Sequence, residues 1–190
     1  MSDFNISAIG VKAQRKLASG LSNRKTARLI LDERANNLLD KAFKVLLLVA
    51  SSRREAEKVT KSVIKLVVKI GLLARQEQFS RDEESVDCGR QLRLRFRNLI
   101  MSVSSFHRIE YTYDRCFLLD QLEACHRLLR SMLGSHLTEK SQALLELVFE
   151  FFCRPEVLDA MFQASANCSL HTAFTQLCRE LDDFVDSGVI

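Results

Sequence analysis

The sequence predicts an all-α fold, a bundle of about seven helices, and three observations carry that prediction. Helix breakers are scarce, because 190 residues contain one proline, Pro155, and only six glycines. Apolar residues recur at helical spacing in one segment after another. The chain is also long enough to bury a substantial core, and no tandem repeat, low-complexity tract or long linker interrupts it. Residues 1–190 therefore read as one domain, with a basic first helix and connector over 1–30 and the bundle over 34–187.

The elements follow in order. From Ile6 to Leu21, Ile9, Ala13, Leu17 and Leu21 form an apolar edge, and Lys12, Arg15 and Lys16 a cationic one. Such a helix suits either an anionic lipid surface or a place at the end of the bundle. Ser22 to Arg28 reads as a basic connector, and a helix follows from about Arg34 to Ala50. Ser52-Arg-Arg-Glu55 has capping-box spacing and opens a third helix that ends near Arg75 to Glu77. Ser80-Arg-Asp-Glu83 repeats that spacing and opens a long helix to about Phe106, with a core seam at Leu92, Phe96, Leu99, Val103 and Phe106. Asp114 to Ser135 buries Leu118, Leu122, Cys125, Leu129 and Met132. Thr138 caps a helix ending in Leu144 to Phe152, and Pro155 fits the first turn of a short one to about Gln163. The last, about Ser169 to Ser187, buries Leu170, Phe174, Leu177, Leu181 and Phe184.

Charge is unevenly distributed. Met1 to His107 carries 21 Lys or Arg against 11 Asp or Glu, whereas Arg108 to Ile190 carries 7 against 13. The front half thus attracts anions, whether membrane, phosphate or acidic protein. Several classes are excluded by what the motifs lack. There is no Gly-rich phosphate loop, nucleophile elbow or metal-ligand pair, so the chain does not read as an enzyme and no cofactor is expected. The basic half lacks a nucleic-acid motif and interleaved aromatics. The six cysteines show no zinc or redox spacing, and Cys168-x-x-His171 stands as a single pair. Cys125 and Cys178 lie on apolar faces as reduced cysteines do, which points to the cytoplasm. No signal-peptide core is visible, and the longest apolar run, Val45 to Ala50, is too short to cross a bilayer. Membrane contact is therefore expected to be peripheral and reversible.

The most informative segment is Glu55 to Arg75. At about 100° per residue, Lys58, Lys61, Lys65 and Lys69 share an arc of roughly 80°, while valines, isoleucines and leucines cover most of the rest. A helix apolar on so many sides requires covering on more than one flank. A cationic seam beside apolar surface suits an anionic amphiphile; the alternative is a central helix whose lysines reach into water. Arg90, Arg93 and Arg97 share one face of the next long helix and can grip phosphate through paired hydrogen bonds, or pair with nearby acids. Arg75 falls on an apolar flank, off the lysine row, where it can also satisfy terminal carbonyls.

Glu55-Ala-Glu-Lys58, Ile64-Lys-Leu-Val-Val-Lys69, Arg75, Gln78-Phe79, Met101-Ser-Val-Ser-Ser-Phe106, Tyr111-Thr-Tyr-Asp114 and His136-Leu-Thr-Glu-Lys-Ser141 form an ordered series of blocks. Over about Ile9 to Phe184 this series resembles the tumour necrosis factor-alpha-induced protein 8 family, the TIPE proteins. The chain looks like a divergent, invertebrate-style member, with Gln142-Ala-Leu144 in place of the usual His-Gly-Arg and Phe149-Glu-Phe-Phe-Cys-Arg154 in place of the usual Phe-Asp-His-Phe pattern. The resemblance implies a helical bundle around a large apolar cavity that takes phosphoinositide acyl chains, with the headgroup at a basic entrance. It implies carriers or presenters of lipid second messengers that regulate cell death, immune signalling and cytoskeletal behaviour. It matches the family's headgroup arginines to Arg75 and Arg93, and its basic first helix to Arg15 and Lys16. The expected headgroup set is thus Arg75, Arg93, Arg15, Lys16, Arg90 and Arg97, with Lys12, Lys58, Lys61, Lys65 and Lys69 guiding approach to an anionic membrane. The competing expectation is a cytosolic adaptor whose acidic second half, with Asp182, Asp183 and Asp186, binds a signalling protein.

Overall fold

The computed structural model describes residues 4–18, 32–75, 83–109, 111–134, 136–164 and 168–188, and the regular structure among them is entirely helical. Eight helices follow in order: α1 (Ile6–Ala18), α2 (Glu33–Val49), α3 (Arg53–Arg75), α4 (Glu83–Arg108), α5 (Arg115–Leu133), α6 (Glu139–Phe152), α7 (Pro155–Phe162) and α8 (Ser169–Asp186). Each of the eight segments read from the sequence has its helix here, including the short α7 opened by Pro155 in its first turn, and the bundle of about seven helices stands.

Helix starts follow from local chemistry. Asp32 accepts from the Ala35 amide at 2.8 Å, and Asp114 from the Phe117 amide at 2.9 Å. Ser52 Oγ accepts from the Glu55 amide at 3.2 Å, but the returning carboxylate takes the Ser51 amide, at 2.9 Å, one residue before the expected partner. Thr138 occupies the cap position of α6 without capping it, a departure from expectation. Its hydroxyl turns to Ser141 Oγ at 3.1 Å. Cys168-x-x-His171 is a cap rather than a ligand pair, since Cys168 Sγ accepts from the His171 amide at 3.3 Å. Ser80, Leu21 and the Ser22 to Arg28 connector lie outside the described residues.

Packing centres on three apolar clusters. The largest joins Val45 and Leu46 of α2, Val59 of α3, Leu99 of α4, Leu118 and Cys125 of α5, Phe151 of α6, Leu158 of α7, and Phe174 and Cys178 of α8. A second joins Ile6 of α1 to Ile64, Val68 and Leu72 of α3; a third joins Leu66 of α3 to Leu133 and Leu145. Helix α4 lies along α5 and α8, and α2 lies along α8. Cys178 is so enclosed that burial, with the nearby Asp182, pushes its thiol up to about 12, keeping it an apolar filler. One expected core residue is not core: Phe96 is 42% exposed. The front half of α4 touches α5 along a narrow line, where Cys88 Sγ meets Leu128 O at 3.5 Å, and Phe96 lies off that line.

An ion pair ties α3 to the α6–α7 turn. Arg154 donates to Glu55 Oε1 at 2.7 Å, and its guanidinium lies 5.1 Å from the Phe151 ring centre. The Arg154 hydrogen bond, and then the Ser51 amide, hold the Glu55 carboxyl below the usual carboxylate range. Because the folded-state pKa is depressed, the resulting stability is present above the unfolded carboxylate pKa and is lost as pH falls through the folded value. Glu55→Gln is expected to cost about 1–3 kcal/mol at neutral pH. Urea unfolding of both proteins should show that deficit closing as the solution is acidified.

Candidate functional site

Helix α3 organises the candidate site through its faces. Ile64, Val68 and Leu72 are buried under α1 and α2, while Leu66, Ile70 and Leu73 pack toward α5 and α6. The expectation that this helix is covered on more than one flank is therefore met. Between the two flanks, on the side roughly 160–180° from the lysines, a third line runs along the helix. It starts fully buried at Ala56 and Thr60, continues half-buried at Val63, and is then uncovered, with Val67 38% exposed and Ala74 exposed. This line thus runs from a buried start to an exposed end on α3, where Arg75 is the exposed last residue.

The lysine row is not uniform. Lys58 and Lys65 are exposed. Lys61 pairs with Glu57 at 3.2 Å and sits 5.1 Å from the centre of the Phe4 ring, so it braces the start of the chain against α3. Lys69 is half-buried, with Nζ 3.2 Å from Ser141 Oγ, and burial pulls its pKa below the usual lysine value. Two of the four lysines in this row, out of five expected to guide approach to a membrane, are thus engaged in part with other groups of the protein.

The arginines are more open. Arg90, Arg93 and Arg97 are all exposed on one side of α4, and the described ion pair among them is the long Arg90–Asp87 contact at 3.9 Å. Seven residues, 76–82, join Arg75 to the start of α4, so α3 ends within about 28 Å of where α4 begins. Lys12 is exposed on α1, beside an open hollow of about 600 Å³ whose described lining is Asn5, Ser7, Ala8, Val11 and Lys12. Arg15 and Lys16 stand on α1, but their side chains fall outside the described ones. A smaller open hollow, about 250 Å³, lies at the α5–α6 corner beside Arg130, Gly134, Gln142 and Glu146. Neither hollow is the enclosed apolar cavity that the resemblance implies.

In the acidic half, Asp182 accepts from Arg108 at 2.9 Å, whereas Asp183 and Asp186 are exposed. The uncovered line of α3 was absent from the sequence-based candidates. The signal was present in the small residues Gly71 and Ala74, placed opposite the lysines where a packed central helix would carry large ones. Among the described residues no group of histidine, cysteine and carboxylate side chains is arranged to hold a metal, and no helix is long and apolar enough to cross a membrane.

Comparison with known proteins finds relatives that match over nearly the whole length of the chain. A tumor necrosis factor alpha-induced protein 8 of Gallus gallus is 31% identical over 187 residues, which are 98% of this chain and 97% of that protein. The protein of the same name in Homo sapiens is 31% identical over 183 residues, 96% of this chain and 90% of its own. Tumor necrosis factor, alpha-induced protein 8-like protein 2 A of Danio rerio is 29% identical over 188 residues, 99% of both chains. The sequence profile described as tumor necrosis factor alpha-induced protein 8-like matches residues 4–188, and with it the chain belongs to that family.

Proposed function

We propose that this protein binds phosphoinositides, carries or presents them as lipid signals, and through them regulates cell-death, immune or cytoskeletal signalling. It works in the cytoplasm, with reversible attachment to anionic membranes, and catalyses no reaction. The observation that carries this reading is the line of α3 opposite the lysines, buried at Ala56 and Thr60, uncovered at Val67 and followed by Arg75. Apolar surface left uncovered is suited to acyl chains, whose burial is worth about 0.8 kcal/mol per methylene. Arg75 at the end of that line, with Arg93 exposed on α4 as the second candidate, is suited to the headgroup phosphates, because a planar guanidinium can donate two parallel hydrogen bonds. Membership of the family, whose members are named for induction by a tumour necrosis factor, supports the signalling context.

The adaptor reading draws on Asp183 and Asp186, and loses Asp182 to its pair with Arg108. Native mass spectrometry separates the two. Protein incubated with phosphoinositide-containing phosphatidylcholine vesicles and re-isolated should carry about one lipid per chain. Protein that stays lipid-free and ignores those vesicles, yet captures a cytosolic partner, would establish the adaptor instead.

A further inference from the structure

The outward side of α4 has a pattern that headgroup binding does not need. Val86, Arg90, Leu94, Arg97 and Met101 fall within an arc of about 80° and extend over roughly 22 Å of helix. This arc lies opposite the seam on α5, where Cys88 approaches Leu128 O and Gly89 faces the Met132 sulfur. The apolar members are open, with Val86 44%, Leu94 60% and Met101 52% exposed. Arg90 and Arg97, also exposed, stand between them along the same line. Single exposed apolar side chains are ordinary, but three in register with two arginines make a surface with a specific complement.

We infer that this face of α4 is a membrane-docking surface that lies in the plane of an anionic bilayer. An interfacial helix places its apolar side chains at the boundary between headgroups and acyl chains while its arginines reach the phosphates. The charge matches that partner: from 86 to 101 the helix holds four arginines against one acid, Asp87. A bilayer supplies phosphate and hydrocarbon along the whole stripe, whereas a protein groove would need an acid placed opposite each arginine. The inference shares with the proposed function the choice of an anionic lipid surface as partner. It differs in requiring no phosphoinositide and no lipid within the bundle.

The natural chain has no tryptophan, so Leu94→Trp creates a single reporter. With vesicles of equal parts phosphatidylcholine and phosphatidylserine, its emission should shift to the blue, while that of Glu150→Trp, on the exposed side of α6, should not. The double variant L94D/M101D should sediment with the same vesicles at least about tenfold more weakly than wild type, since two buried apolar contacts are replaced by like-charge repulsion. Its binding of a soluble dioctanoyl phosphoinositide should be retained. Loss of that binding in wild type as well would count against the proposed function and leave the docking face standing. Vesicle sedimentation unchanged in L94D/M101D, or no spectral shift for L94W on bound vesicles, would overturn the inference. A solution dimer that L94D/M101D dissolves would also overturn it, assigning the face to a second copy of the chain.

Discussion

Phe174→Ala is expected to cost about 3–5 kcal/mol of folding stability, the largest single-residue effect foreseen here. Phe174 is 2% exposed and projects from α8 into the main cluster. Its ring stands edge-on to Phe162 of α7 at 5.2 Å and to His107 of α4 at 4.8 Å, so one side chain links three helices. Removal forfeits the apolar transfer term and leaves a hole that three helices cannot all close at once. Burial, the adjacent His171 and then Arg108 hold His107 below its usual pKa, and its Nε2 lies 2.8 Å from Thr175 Oγ1. The Thr175 hydroxyl is committed as donor to His171 O at 2.8 Å, which leaves its oxygen to accept from His107. That polar contact gives the cavity one rigid wall. In chemical denaturation the midpoint should fall with an unchanged slope, and the thermal midpoint should drop by roughly 6–20 °C. Leu94→Ala, at an exposed site, should stay within about 0.5 kcal/mol of wild type, and an equal loss there would refute the packing account.

Charge reversal at two of the headgroup candidates, R75E/R93E, is expected to weaken binding to phosphoinositide vesicles thirtyfold to several hundredfold. A basic side chain near an anionic lipid surface contributes about 1 kcal/mol, and reversal both removes that attraction and adds repulsion, so two sites give about 2–4 kcal/mol. Both side chains are exposed, so the fold should survive. Arg75 in the last turn of α3 also complements the helix dipole, which adds a stability cost of about 0.3–1 kcal/mol. Unchanged vesicle affinity with an intact thermal transition would remove both residues from the site. The same reversal at Lys61 and Lys69 should act in part on stability, because Lys61 pairs with Glu57 on the same helix and Lys69 reaches Ser141 of α6.

The two predictions rest on parts of the protein that differ in how far they can be read from sequence. Leu118 and Cys125, seven residues apart on α5, and Phe174 and Cys178, four apart on α8, are all buried, since a residue at the centre of an apolar stripe has protein on both sides. Asp114 was legible as a helix start because capping needs only a short side chain and an amide three residues on. Thr138 obeyed the same rule and failed, because Ser141 competes for its hydroxyl. Phe96 obeyed the period of its seam and is exposed all the same, because its neighbour α5 covers only a narrow line of α4. The candidate site fared similarly. The exposure of Arg90, Arg93 and Arg97 followed from their angular distance to the seam, whereas the use of Lys61 and Lys69 as braces depended on Phe4 and Ser141, neither of which is near them in sequence.

Periodicity, breaker content and the ordered motif blocks by themselves determined that this chain is helical, roughly where its described helices lie, and to which family it belongs. Each of these depends on interactions within a few residues or on the order of residues along the chain. Tertiary structure alone decided which apolar faces find a partner. Ala56 and Val67 occupy the same side of one helix, yet one is sealed in the main cluster and the other is 38% exposed. Burial depends on where neighbouring helices end, and no local pattern in α3 encodes the reach of α2, α4 and α6.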